Sequence, residues 1–206
     1  MNSGEGKVLF EPCDVFLTRS RSLLGRAIRL ATRGFGESRS MVNHVGIIVA
    51  AGSAEETVGV EALRTVKRHS LLQQYGPGSS SDIAVYRPIN LTEEEKVVIV
   101  SAAEEYVGRS YGYLKIAAHL LDWLLFGVYF FRRLARVDDY PICSWLVAHA
   151  FAKADKTFGV QPGKASPDDI WDFVTKYPDR YEEIYTLGPM RRSADPAATQ
   201  GTERLI

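Results

Sequence analysis

Two thiols, four imidazoles and a carboxylate set inside an apolar run are the side chains of this sequence best suited to covalent chemistry. A cysteine attacks as its thiolate, and a nearby imidazolium or the positive end of a helix lowers its pKa from about 8.5 toward roughly 3.5–7.5. Cys143 is placed for the second effect. Tyr140-Pro141-Ile142-Cys143-Ser144-Trp145-Leu146-Val147 reads as an extended segment entering a helix, so the thiol falls in the first turn, where unpaired backbone N–H groups point outward. The same donors suit the oxyanion of a tetrahedral intermediate. His44 opens the strand-like run His44-Val45-Gly46-Ile47-Ile48-Val49, and the glycine leaves room for close approach. Glu61 interrupts Val58-Gly59-Val60-Glu61-Ala62-Leu63, where a carboxylate is costly unless paired. His44 is its natural partner. Against this stands the structural reading: a cysteine in an apolar helix is a small buried hydrophobe, and a strand histidine is a hydrogen-bonded core residue.

The remaining candidates are weaker. His69 follows Arg64, Lys67 and Arg68 on a polar stretch, which predicts a solvent-exposed residue outside the chemistry. His149 lies six residues beyond Cys143, and at about 100° per residue the helix turns it to the opposite face. The histidines and the two distant cysteines, Cys13 and Cys143, show no metal-ligand spacing, and no glycine-rich phosphate loop follows a strand. The expectation is no metal, no nucleotide and no other cofactor.

The elements that must position these residues are legible from periodicity and caps. Asp14 to Thr18, His44 to Ala50, Val58 to Leu63 and Ile83 to Pro88 read as strands, with a small-residue turn at Gly52-Ser53, and Glu182 to Leu187 as a last strand. Thr92 with Glu95 is a capping-box signature for a helix stopping near Gly108. Ser166-Pro167-Asp168-Asp169 opens another, with a hydroxyl cap, proline at the first helical position and acids in the first turn. An arginine-rich helix carries Leu23, Leu24, Ala27, Ile28 and Ala31 at helical spacing, with six arginines against one acid between Arg19 and Arg39.

Taken in order, Cys13-Asp14-Val15-Phe16-Leu17, Asn43-His44-Val45-Gly46-Ile47, Val60-Glu61-Ala62, Val85-Tyr86-Arg87, Tyr106-Val107-Gly108-Arg109-Ser110-Tyr111 and Ile142-Cys143-Ser144-Trp145-Leu146-Val147 resemble the circularly permuted papain-like amidases of the NlpC/P60 superfamily, of the YiiX/YebB-like kind. The similarity spans about residues 12 to 150. It implies an α+β fold, a small antiparallel sheet with packed helices, in which the histidine precedes the cysteine in the chain. Such a site is defined by geometry and role, not by chain order. Carried over, Cys143 is the nucleophile, His44 its base and Glu61 the residue that orients or charges the imidazole. The implied activity is that of a thiol hydrolase, an amidase or cysteine peptidase acting on a peptide or an acylated amine. Two positions depart from the family pattern: Cys13 stands where glycine is frequent, and Trp145 where a small acidic residue is frequent. The second alters the wall beside the nucleophile.

Length and charge bound the rest. The 206 residues predict one domain over 1–190 with a disordered small-residue tail over 191–206. Lys plus Arg and Asp plus Glu number 25 each, so no net charge draws the chain to nucleic acid. Two cysteines make no disulfide framework, and Met1 to Lys7 lacks the pattern of a secretory signal, so a reducing, cytoplasmic setting is expected. The apolar stretch Ile116 to Phe131 is 16 residues long and holds His119 and Asp122, too short and too polar for a span. Within Leu114 to Phe131, Lys115, His119 and Asp122 form one polar stripe. Such a helix is either buried or, with Arg132, Arg133, Arg136 and the Arg19 to Arg39 segment, in contact with lipid or a membrane surface. Lecithin:retinol acyltransferase-like enzymes of the same superfamily make a lipid-directed acyl hydrolase or acyltransferase the alternative. A non-catalytic binding module is the third reading.

Overall fold

A computed structural model describes residues 8–20, 41–53, 55–63, 65–110 and 143–190. Residues 21–40, which hold the helix expected around Leu23 to Ala31, the apolar segment over 114–131, the arginines at 132, 133 and 136 and the tail over 191–206 lie outside the described residues. The architecture is α+β, built on a six-stranded sheet whose strand pairs are all antiparallel.

In chain order the strands are β1 (Leu9–Phe10), β2 (Val15–Ser20), β3 (His44–Ala50), β4 (Gly52–Ser53), β5 (Val58–Ala62), β6 (Val66–Ser70), β7 (Ser81–Pro88) and β8 (Tyr181–Leu187). The helices are α1 (Leu71–Tyr75), α2 (Glu93–Glu104), α3 (Cys143–Ala152) and α4 (Pro167–Lys176), with a 3-10 turn at Pro162–Lys164. The large sheet runs β6-β5-β3-β2-β7-β8, while β1 and β4 pair separately. The Gly52-Ser53 segment read as a turn is thus a short strand, because Leu9 and Phe10 supply a partner that the local composition does not announce.

Alternation gives the sheet two unlike faces. Val15, Leu17, Val45, Ile47, Val60 and Ala62 pack into one core with Ile99 of α2, Leu146 and Val147 of α3, and Ile170 and Trp171 of α4. The opposite parity sends Phe16, Ile48, Ile83 and Val85 into a second cluster with Phe10, Leu71 and Tyr75. His44 and Glu61 have this second parity. Both capping boxes form: the Thr92 hydroxyl accepts from Glu95 N at 3.2 Å while Glu95 accepts from Thr92 N at 3.0 Å, and Ser166 with Asp169 reciprocate at 3.1 and 2.9 Å. The edge strands carry Lys67 and Arg68 on β6 and Glu182 and Glu183 on β8, charges that discourage further strand pairing.

Two sequence landmarks far apart in the chain join here. The Arg87 guanidinium donates from Nε and Nη2 to the two carboxylate oxygens of fully buried Asp14, each at 2.9 Å. Cys13 holds φ at +74°, in the left-handed region that disfavours a side chain. Its sulfur donates to the Lys96 carbonyl at 3.6 Å, and burial pushes the thiol up to about 12, which keeps it inert.

Candidate active site around Cys143

Gly46 and Gly59 prepare the floor of the site. They lie on neighbouring strands beneath the Phe16 ring, and a Cβ on Gly46 would stand 2.2 Å from Phe16 Cζ. With no side chain there, the ring lies close against the sheet and meets His69 and Tyr75 at centroid distances of 6.2 and 5.8 Å. Because β5 pairs with β6 in the register Gly59 to His69 and Glu61 to Lys67, His69 stands diagonally beside Glu61 on the same face.

Glu61 is the centre of this arrangement and is fully buried. Its Oε2 meets His44 Nε2 and accepts from the Tyr75 hydroxyl at 2.6 Å. Its Oε1 lies 2.6 Å from His69 Nε2, an ion-pair contact too oblique for a well-formed hydrogen bond. Burial alone would raise the carboxyl pKa, but His44 and His69 hold it well below the usual carboxylate range. Burial likewise disfavours imidazolium at His44, yet the Glu61 charge, the charge of Cys143 and hydrogen bonds to both raise the imidazole pKa. Tyr75 is pushed up by burial and by the adjacent carboxylate, so its phenol stays a donor.

Cys143 is the first residue of α3 and is 6 % exposed. Its side chain is hydrogen-bonded to His44. His44 opens β3, and its interaction with Cys143 sets that end of the strand beside the start of α3. The next residue, Ser144, anchors that turn by donating its hydroxyl to the Ala165 carbonyl at 2.6 Å. The structure therefore brings together Cys143, His44 and Glu61, the three residues singled out from the sequence.

The expectation for His69 is corrected. It is a half-buried residue in contact with Glu61, because pairing in β6 sets it beside that carboxylate where the Phe16 and Tyr75 rings cover it, while Lys67, on the same face, and Arg68, on the other, stay exposed. Tyr75 was also missed, since it ends a five-residue helix without a periodic pattern. One signal was available for His69: three residues separate Ala62 from Val66, and such a hairpin sets Gly59 opposite His69. His149 belongs to another neighbourhood, stacked on Trp145 at 4.4 Å and edge-on to Tyr106 at 5.6 Å. Trp145 is itself buried against Tyr106, at 5.1 Å.

Among the described residues no three His, Cys, Asp or Glu side chains converge as metal ligands. At Glu61 the donors face each other instead. Ligands of one tetrahedral ion stand about 3.3 Å apart, whereas His69 Nε2 and Glu61 Oε1 are separated by 2.6 Å. Nor, among the described residues, is any helix long and apolar enough to cross a membrane.

No family model matches the chain, and no curated protein matches it. Among solved structures, that of the metalloprotein yiiX from Escherichia coli O157:H7 is similar, with a TM-score of 0.58 and 20% identity, covering 87% of this chain and 98% of that one. At that identity the likeness is one of fold.

Proposed function

From a fold shared with yiiX and a thiol set against a buried imidazole–carboxylate pair, we propose that this chain is a permuted papain-like cysteine hydrolase that cleaves an amide or ester through a Cys143 acyl-enzyme. One observation carries the reading: Cys143, at the first position of a helix, is hydrogen-bonded to His44, whose Nε2 is engaged by fully buried Glu61. That is the arrangement of nucleophile, base and orienting group required for acyl transfer.

The Glu61 charge favours His44 as imidazolium, and the imidazolium with the helix N-terminus favours Cys143 as thiolate. The Sγ lone pair forms a bond to the substrate carbonyl carbon, and the carbonyl π pair moves to oxygen. Backbone N–H groups in the first turn of α3 are the donors for that oxyanion. Collapse breaks the bond to the leaving nitrogen or oxygen, which takes the proton from His44, and a thioester remains. His44, now neutral, takes a proton from water as the water oxygen bonds to the acyl carbon. The second collapse breaks the C–S bond, releases the acid and restores the thiolate–imidazolium pair. Glu61 keeps one tautomer and ring orientation throughout. The proposed substrate is a peptide amide or an acylated amine.

The neighbour yiiX is a metalloprotein, and the steps proposed for this chain need no metal. The nitrogens that would bind one lie against Glu61, closer than ligands sharing an ion.

The test incubates the full chain with a panel of p-nitroanilide peptide amides and p-nitrophenyl acyl esters, followed by intact-mass spectrometry. The expected result is chromophore release with an acyl mass on Cys143, both lost in Cys143→Ala. The acyl group transferred fastest within each series identifies the substrate class, a long acyl chain pointing to lipid and a peptidyl group to a peptide amide. No acyl adduct, together with a Cys143 that alkylates no faster than free cysteine at pH 6.5, would overturn the reading and leave a binding module.

A further inference from the structure

His69 has an acceptor at each nitrogen. Nδ1 faces the Ser70 carbonyl at 3.1 Å, and Nε2 faces Glu61 Oε1 at 2.6 Å. Neither oxygen can donate, so a bare nitrogen at either position would set lone pair against lone pair, and the doubly protonated, cationic ring is the form attracted to both. The Glu61 carboxylate is thereby divided: Oε1 goes to His69, and Oε2 to His44 and Tyr75.

Resting on the hydrolase reading above, we propose that His69 is a positioning residue, an imidazolium that occupies one oxygen of Glu61 and thereby sets the pH at which His44 gives up its proton. It touches no reacting atom in this role and acts through the carboxylate. The groups that face it are Glu61 from β5, His44 from β3 and the Tyr75 ring from α1, at 6.0 Å. From β2 comes the uncharged edge of Phe16, and on β6 itself exposed Lys67 has the same parity. Burial opposes the charge on His69, and contact with Glu61 and the Ser70 carbonyl outweighs it, so its pKa is raised. The two imidazoles share one carboxylate and oppose each other: the His44 charge works against the proton on His69, and because the repulsion between two charges is mutual, a cationic His69 works equally against the proton on His44. A charge within about 4–6 Å moves a pKa by about 1–3 units.

The experiment follows the imidazole carbons of the full chain, with histidines isotopically labelled, by NMR from pH 5 to pH 12, because His44 is raised to about 10. His69 in the wild type is expected to remain protonated at pH 7, and a neutral His69 there would overturn the proposal without any variant. In His69→Gln the His44 titration is expected to move up by about one unit or more, while His69→Lys, which keeps a cation beside Glu61, stays near the wild type. An unmoved His44 in folded His69→Gln, or an equal shift in both variants, assigns His69 a merely structural part and refutes the idea. These titrations need no substrate, so failure of the hydrolase reading in the acylation assay is seen separately.

Discussion

Replacing Glu61 by Gln removes a charge while keeping nearly the same shape, and the structure states what the amide must satisfy. The carboxylate receives His44 Nε2, the Tyr75 hydroxyl at 2.6 Å and His69 Nε2 at 2.6 Å. A glutamine oxygen can serve His44 and Tyr75, while its NH2 can donate to His69 once that ring has lost its Nε2 proton. The network closes with both histidines neutral, so the fold survives at a cost of about 2 kcal/mol, roughly one charge-assisted hydrogen bond. For a chain of this size that is a fall of about 4–8 °C in Tm. Reactivity suffers more. Without the carboxylate, burial dominates His44 and lowers its proton affinity, the imidazolium is lost, and Cys143 reverts toward a free thiol with a pKa of about 8.5. At pH 6.5 only about 1% of such a thiol is thiolate, so alkylation of Cys143 by iodoacetamide should slow by up to about 100-fold. Cys13 is an internal control, since its buried thiol, pushed up to about 12, is unreactive in both proteins. Stability changes with pH in a defined way. The raised His44 contributes stability that is full below its ordinary value of 6.5 and lost as pH rises through its folded value. The lowered Glu61 contributes stability present above 4.5 and lost as pH falls. The wild type should therefore show a plateau between these limits with a falling arm on each side, and Glu61→Gln should flatten both arms. Unchanged alkylation at pH 6.5 in a folded variant would refute the coupling of Glu61 to Cys143 through His44.

Three further outcomes are expected. Tyr75→Phe removes a 2.6 Å hydrogen bond to a buried carboxylate and should lower unfolding free energy in urea by about 1.5–3 kcal/mol; an effect below 0.5 kcal/mol, taken roughly as experimental error, would mean the bond is not made. Gly46→Ala places a methyl 2.2 Å from Phe16 Cζ, and displacing that ring disturbs Tyr75 packed on it. Calorimetry should register a loss of about 1–3 kcal/mol, and a melting temperature equal to the wild type's would count against the close approach. Cys13→Gly relieves a side chain held at φ +74° but gives up the burial of a sulfur, so the two effects of about 1 kcal/mol each should nearly cancel in a denaturant titration. A loss above about 3 kcal/mol would show that the backbone there is not strained.

What the residues alone determine is local or one-sided. Alternating Val and Ile place β3 and β5, and the hydroxyl–acid pairs at Thr92 and Ser166 start α2 and α4 where the caps say. A carboxylate in an apolar strand declares that it needs a partner, so the pairing of Glu61 with His44 was legible before any coordinates, as was the place of Cys143 at a helix start. The rest depends on register. Val66 to Ser70 has no apolar alternation, because an edge strand needs only one neighbour and carries its charges outward; nothing in its composition marks it as β, and His69 looks solvated until β5 lies beside it. Tyr75 ends a helix too short for periodicity, and only the fold of α1 over Phe16 delivers its hydroxyl to Glu61. The sequence names a carboxylate with one imidazole partner, and tertiary structure divides its two oxygens among three partners, His44 and Tyr75 at one and the ion-paired His69 at the other, because strand pairing converts distant positions into neighbours.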